Sequence, residues 1–444
     1  GMPLIIRALT QLKRAGVTKA VVVTGYRADE VEARVSAEAR LAGMEVVFAR
    51  NEEWKKSNGV SVLSARPHVD GEFLLLMSDH VFDKALLQGV VSEAARPDAG
   101  GAVLAVDSKI SEIYDLPDCT LVKTDGRGSI VDIGKEITDY DVADTGVFRC
   151  TSGLFDALEA AQAEGGDCSL SDGVRRLAEM GRMRTHDVGD AWWQDVDTLG
   201  ALKHAEDLLF NACRKPMDGI VARHINRNIS LFISRRLKDL DFSPNVVSVF
   251  NMLLGVGAFL AAIQGGYWFF LLAAFLLKAN SVLDGVDGEL ARVRMQESKL
   301  GEWLDTLADD SSNLLFFAGL GIGASLAPEG AHFGYAATVA VVGQLGLSFL
   351  LYRELIAKGS GDLYAVQWDF DDPGARDGLV GKALGALRYV VKQDFFILGF
   401  LVMAVFGVLP WCLYFAAAGA VSAFAAALAR NAKLRARQRR GATA

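Results

Sequence analysis

The sequence predicts two folds in series: an α/β domain over residues 1–213 and an all-α domain of six transmembrane helices over 243–444. Three observations predict them. Short apolar runs alternate with helix-patterned stretches in the first part, the mark of an α/β domain. Long apolar runs dominate the second, although the whole chain is only 51% hydrophobic. The Lys and Arg residues between those runs also fall on one side only. A segment at 214–242 joins the two parts.

In the first part the strands are read at "KAVVVTG", "MEVVFA", "EFLLLMSD", "GAVLAV" and "DTGVFRC", a pattern that predicts a mainly parallel sheet. Asp79 falls at the carboxyl end of one such strand, where open α/β sheets place ligands. Asp195 and Asp197 precede a helix in "WWQDVDTLGALKHAEDLL". Distant aspartates at such positions can share a metal on a nucleoside triphosphate. Alternatively, Asp79 is a turn residue and Asp197-Thr198 a helix N-cap. The cysteines at 119, 150, 168, 213 and 412 show no zinc or disulfide spacing, which fits a reducing compartment. The net charge of −8 resides largely in the first part, and no nucleic-acid partner is expected.

The joining segment sets Val221, Ile225, Ile229 and Phe232 at helical spacing, with Arg223, Arg227, Arg235, Arg236 and Lys238 off that stripe. This predicts a helix lying in the headgroup plane, in contact with membrane lipids. Six segments then match a hydrocarbon layer about 30 Å thick: 244–263, 267–288, 302–325, 333–353, 388–407 and 410–429. The links "QGGY", "APEGAH" and "GVLPW" lack Lys and Arg, whereas Arg292, Arg294, Lys299, Arg353, Lys358, Arg388, Lys392 and the tail carry them. Both termini are therefore expected in the cytoplasm, and the protein is expected to be multi-pass in the cell inner membrane.

Acids stand where the second and third spans meet. Asp284 and Asp287 are three apart, Asp305 and Asp309 four apart, so each pair shares a helix face. A loop of about ten residues between the spans makes them antiparallel and brings the pairs opposite one another. Four carboxylates in a low-dielectric setting call for a cation, and all-oxygen ligands select Mg²⁺, Mn²⁺ or Ca²⁺. Gly288 and Gly301 leave room for a bulky ligand, and Arg292, one turn from Gly288, can hold a phosphate. Metals, an arginine and space for a polar group together suggest phosphoryl transfer. Asp310 reads as a solvated neighbour. Lys392 with Asp394, or Arg353, is a candidate for an acceptor phosphate.

These residues fill, without a change in spacing, the pattern Asp-x2-Asp-Gly-x2-Ala-Arg-x8-Gly-x3-Asp-x3-Asp, with Ala291 at the alanine position. The segment resembles the signature of CDP-alcohol phosphotransferases. The resemblance implies transfer of a phosphoalcohol from a CDP-linked donor to an acceptor hydroxyl with release of CMP. It implies Asp284, Asp287 and Asp305 as ligands of Mg²⁺ or Mn²⁺, two ions in all. Asp309 becomes the general base, touching the second metal, while Gly288, Ala291, Arg292 and Gly301 line the CDP site. It also implies a homodimer through the membrane helices.

In the first part, "NEEWKKSNGVSVLSA", "MSDHVF", "DIGKEI", "ADTGVF" and "WWQDVDT" resemble, in that order, the sugar-nucleotidyltransferases, and more closely the cytidylyltransferases of inositol phosphate or phosphocholine. The implied fold is Rossmann-like, with Asp79 and Asp195 or Asp197 as metal ligands, Asn58 near the base and Lys135 near the substrate phosphates. Those enzymes open with a strand and the loop Leu-Ala-Ala-Gly-x-Gly-x-Arg, whose N–H groups cradle the triphosphate. Here the chain opens on "GMPLI", with Met2 where the family has lysine. The expectation is a start about 25 residues further upstream or a degenerate domain. Two strand edges are then left unpaired, and triphosphate binding is poor. The fusion resembles the bifunctional enzymes of di-myo-inositol phosphate synthesis, implying CDP-inositol as donor and inositol phosphate as acceptor. The alternatives are a phospholipid synthase using CDP-diacylglycerol and a divalent-cation transporter with a regulatory soluble domain.

Overall fold

The computed structural model describes residues 2–215, 218–361, 363, 366 and 392–441. Arg388 and most of the polar loop at 360–378 lie outside them. The chain divides into two compact units, Met2–Leu209 and Phe210–Ala444.

The first unit contains the five expected strands, as β1 (Lys19–Thr24), β2 (Glu45–Arg50), β3 (Phe73–Leu76), β5 (Ala102–Asp107) and β8 (Val142–Cys150). Five more escaped the sequence reading: β4 (His80–Phe82), β6 (Leu121–Thr124), β7 (Ile130–Gly134), β9 (Met183–Asp187) and β10 (Trp193–Asp195). They are short or polar, so they carry little apolar signal. The expected mainly parallel sheet is mixed. β1–β2 and β5–β9 run parallel, but the long β8 pairs antiparallel with β3, β5 and β6. One buried cluster on the sheet includes Leu104, Phe148, Leu154 and Leu158. It is built against α5 (Gly153–Gly165) and α6 (Leu170–Glu179), the latter opened by a Ser169/Asp172 capping box.

Among the described residues β1 pairs only with β2, and β3 only with β8. Between them lies a cavity of about 880 Å³, lined by both strands, by Ile5, Leu9 and Leu12 of α1 (Leu4–Arg14) and by Val62 of α3 (Asn58–Ser64). Two free strand edges facing one apolar slot is the arrangement expected where a central strand is lacking.

The second unit is helical. Among the described residues four helices are long and apolar enough to cross a membrane: α9 (Asn245–Ala262), α10 (Tyr267–Val293), α12 (Ala331–Lys358) and the stretch Leu409–Lys433, most of it in α14 (Cys412–Gly441). The other two expected segments are also helices. α11 (Lys299–Ser325) carries the second pair of acids, and α13 (Gln393–Val405) is apolar but 13 residues long. Small residues permit close approach of α9 and α11. A Cβ on Gly323 would fall 2.0 Å from the Ala262 carbonyl oxygen, and one on Gly255 2.3 Å from Ser312 Oγ.

Ahead of these, α8 (Arg227–Leu237) packs on α10. Its Ser230 and Ser234 are buried, whereas Ile225, Ile229 and Phe232 remain exposed. Gly285 makes this approach possible, since a Cβ there would meet Arg227 Nη1 at 2.8 Å.

Candidate functional site

The expected loop of about ten residues between the acid-bearing helices is in fact five residues, 294–298, because both helices run further than their apolar stretches. At the end of α10 the Met295 N–H bonds to Arg292 O and the Gln296 N–H to Ala291 O, and Met295 takes the left-handed conformation (φ 52°). This is a Schellman stop, made without the usual glycine. Arg294 is more than a charge flanking a helix: its guanidinium donates to the carbonyls of Leu237, Lys238, Leu240 and Phe242, which close α8. At the start of α11, Ser298 Oγ accepts from the Gly301 N–H at 3.0 Å, so Gly301 belongs to an N-cap.

With the helices so fixed, the two pairs of acids lie near one another, although no three of the four present ligand atoms within 4.8 Å of each other. The carboxyl groups of Asp284 and Asp305 stand within hydrogen-bonding reach of each other. Asp309 lies beside Asp305 and reaches Gln393 at the head of α13. Asp287 is buried; it accepts from the Gly288 N–H at 2.6 Å and from Ser248 Oγ of α9. Asp305 is the exposed member, giving the group an open side. Beneath them Asn280 Nδ2 donates to Asn251 O at 2.8 Å and to Ser312 Oγ at 3.3 Å, a buried polar floor across three helices. Carboxyls facing each other need a shared proton or a bridging cation, and this all-oxygen set suits a hard divalent ion. Arg292 extends over Gly288, where a Cβ would lie 3.2 Å from its Nη1. Its Nη2 donates to the Cys213 carbonyl at 3.5 Å, and its Nε is buried without a hydrogen-bond partner. Ala291 lies on the same helix, between Gly288 and Arg292.

Two residues depart from the sequence reading. Asp310 is not a solvated neighbour; it accepts from Ser348 Oγ at 2.7 Å and Tyr352 Oη at 2.5 Å. Asp394 accepts from the Ala222 N–H at 2.8 Å, a structural bond near the start of α8. Glu289 went unremarked in the sequence. It is fully buried on α10 and accepts from Arg227 Nη1 (3.1 Å), Ser230 Oγ (2.6 Å) and Ser234 Oγ (2.7 Å), while Arg227 also holds Asp218.

The first unit gathers its own candidates around a cavity of about 190 Å³, lined by Asn58, Asp79, His80, Lys135, Asp144, Asp195 and Asp197 among others. Asp79, His80 and Asp195 present ligand atoms within 4.8 Å of one another. His80 Nδ1 lies 2.9 Å from Asp79 Oδ1 and 3.8 Å from Asp195 Oδ1. The hydrogen bond from His80 holds the Asp79 carboxyl below its usual range. Burial draws the His80 imidazole down, but Asp79 and Asp195 outweigh it and leave it raised. Burial raises Asp195, whose Oδ1 has no hydrogen-bond partner, and pushes Asp144 up to about 6. Asp197 lines the same cavity, and the N-cap of α7 (Leu199–Asn211) is Thr198, whose Oγ1 accepts from the Ala201 N–H. Asn58 Oδ1 accepts from the Leu170 N–H at 2.8 Å. His80 and Asp144 were missed; adjacency to Asp79 in "SDH" was the one available signal.

The family model for CDP-alcohol phosphatidyltransferase matches residues 242–416, and that for the MobA-like NTP transferase domain matches residues 1–178. The "Bifunctional IPC transferase and DIPP synthase" of Aquifex aeolicus is 33% identical over 321 residues, covering 72% of this chain and 70% of that protein. The protein of the same name from Rubrobacter xylanophilus is 32% identical over 329 residues, covering 73% and 71%. Among solved structures, the inositol-1-phosphate CTP transferase from T. maritima aligns with a TM-score of 0.41 at 26% identity, over 46% of this chain and 80% of that one.

Proposed function

The chain belongs to the family of bifunctional IPC transferases and DIPP synthases, and it is a CDP-alcohol phosphotransferase; from that premise we propose that its donor is a CDP-linked polar alcohol, CDP-inositol, and its acceptor inositol phosphate. The observation that carries the reading is the meeting of Asp284 with Asp305, flanked by Asp287 and Asp309, beside an arginine with a free buried donor.

In this reading Asp284, Asp287, Asp305 and Asp309 would hold two Mg²⁺ or Mn²⁺ ions, whose positive charge would offset that of the pyrophosphate and of the attacking and leaving oxygens. Arg292 and the bare faces at Gly288, Ala291 and Gly301 seat the CDP portion. Asp309 takes the proton of the acceptor hydroxyl. The freed oxygen forms the new bond to the phosphorus carrying the alcohol, the bond from that phosphorus to CMP breaks, and CMP leaves with the electron pair. A base so placed contributes roughly 10²–10⁴-fold. The group at Asp79, His80 and Asp195, with Asp197 beside it, Asn58 toward the base and Lys135 toward the phosphates, is arranged as in a cytidylyltransferase, the class of site that makes a CDP-linked donor from CTP.

Residues 214–242 form a juxtamembrane element whose apolar stripe faces lipid, a reading supported by the exposure of Ile225, Ile229 and Phe232. The six helical segments cross the inner membrane with both termini cytoplasmic, supported by the one-sided Lys and Arg distribution. Two chains pair through these helices.

The test is CMP release by the purified chain given CDP-inositol with inositol phosphate, or CDP-diacylglycerol with the same acceptor. A product that stays in water supports the reading; one that partitions into chloroform replaces it with phospholipid synthesis. Mg²⁺ flux into proteoliposomes without any CDP-alcohol would replace both with transport.

A further inference from the structure

A carboxyl side chain in a membrane-embedded helix is costly to bury, and its presence asks for a purpose. Asp310 follows the proposed base directly, yet successive helix residues point about 100° apart, so it serves a different neighbour. Its carboxylate receives Tyr352 Oη at 2.5 Å, Ser348 Oγ at 2.7 Å and Gln344 Nε2 at 3.4 Å. The three donors stand at i, i+4 and i+8 on α12, a single stripe. Tyr352 also packs edge-on to Trp303, two residues before Asp305 on α11.

The helix α12 is itself fixed from behind. Arg430 of α14 pairs with Glu354, and a Cβ on Gly343 would lie 3.0 Å from that of Ala420. Asp310 is thus where the frame formed by α12 and α14 takes hold of the helix bearing Asp305 and Asp309.

We propose that Asp310 is a positioning residue: through Gln344, Ser348 and Tyr352 it sets the rotation and depth of α11, and so aims Asp305 and Asp309 at Asp284 and Asp287. The inference rests on the phosphotransfer reading above. It requires hydrogen-bond acceptance at this position, not charge. An asparagine keeps an oxygen for Ser348 and Tyr352, and Gln344 meets its amide by turning its own.

The test is CMP release from CDP-inositol and inositol phosphate by the full chain in detergent. Asp310→Ala is expected to lower kcat by about 10²-fold, the scale of a reacting group misplaced by about 1 Å, with the KM for donor nearly unchanged. Asp310→Asn should restore most of kcat. Tyr352→Phe and Ser348→Ala should each lose part of it, and neither should add further loss to Asp310→Ala. Equal losses in the Asn and Ala variants would overturn the proposal in favour of a required charge. Full activity in Asp310→Ala would overturn it outright, and should that variant not fold, full activity in both Tyr352→Phe and Ser348→Ala would do the same. A wild-type chain that releases no CMP from any CDP-alcohol defeats the phosphotransfer reading instead, a result distinguishable from any of these.

Discussion

Two groups of acids occupy the two units, and they are assembled in opposite ways. In the membrane unit four aspartates come from two helices joined by five residues, and helical periodicity alone places them. In the first unit Asp79, His80, Asp144 and Asp195 come from strand ends and loops far apart in sequence, and the fold brings them to one cavity. A second contrast lies inside α10. Glu289 is neutralised by Arg227 and two serines, whereas Asp284, five residues earlier, faces another acid. The same helix thus carries one carboxylate paired with a cation and another that faces a second acid, which in the proposed reading separates a structural acid from a reactive one.

The contrast can be broken most severely at Asp309. Asp309→Asn should abolish CMP release, a loss of about 10²–10⁴-fold, while thermal unfolding in detergent stays near that of the parent. Arg227→Ala should give the opposite pattern. Removing one partner of a buried pair costs about 3–5 kcal/mol, so unfolding should shift markedly and activity should follow the folded fraction. Asp195→Ala sharpens the comparison between the units. It should abolish Mn²⁺ binding at the soluble cavity, read by electron paramagnetic resonance, yet leave CMP release from supplied CDP-alcohol unchanged. Ser248→Ala removes one of two donors to Asp287 and should cost about 1 kcal/mol, roughly fivefold in kcat/KM. Thr198→Ala deletes the α7 cap and should cost about 1 kcal/mol of stability in the soluble unit, with no effect on CMP release.

Much of the membrane site was legible because spacing on a helix converts directly into direction. Asp284 with Asp287, and Asp305 with Asp309, could be put on shared helix faces without coordinates. What spacing does not convey is which side of each helix meets which partner. Asp310 reads as a solvated neighbour, Glu289 carries no signal and Asp394 reads as a phosphate candidate beside Lys392, and only packing assigns them to Tyr352, Arg227 and the Ala222 N–H. Helix ends were misjudged for the same reason: α10 and α11 run past their apolar stretches because Arg294, Ser298 and a left-handed Met295 supply stops that hydropathy does not register. In the soluble unit, apolar strands such as β5 announced themselves. The three-residue β4 and β10, which carry His80 and Asp195, contain too few residues to show an alternation.

The glycines between α9 and α11 bear on how this sequence can change over time. At Gly323 and Gly255 there is no room for even a methyl group, and pushing the helices apart would drag the polar floor of Asn251, Asn280 and Ser312 with them. Drift among descendants of this protein should therefore be slowest along that seam. Exposed apolar positions such as Phe349 and Val342 should exchange freely among apolar residues, so the ancestry of the catalytic apparatus is recorded as faithfully in its smallest residues as in its acids.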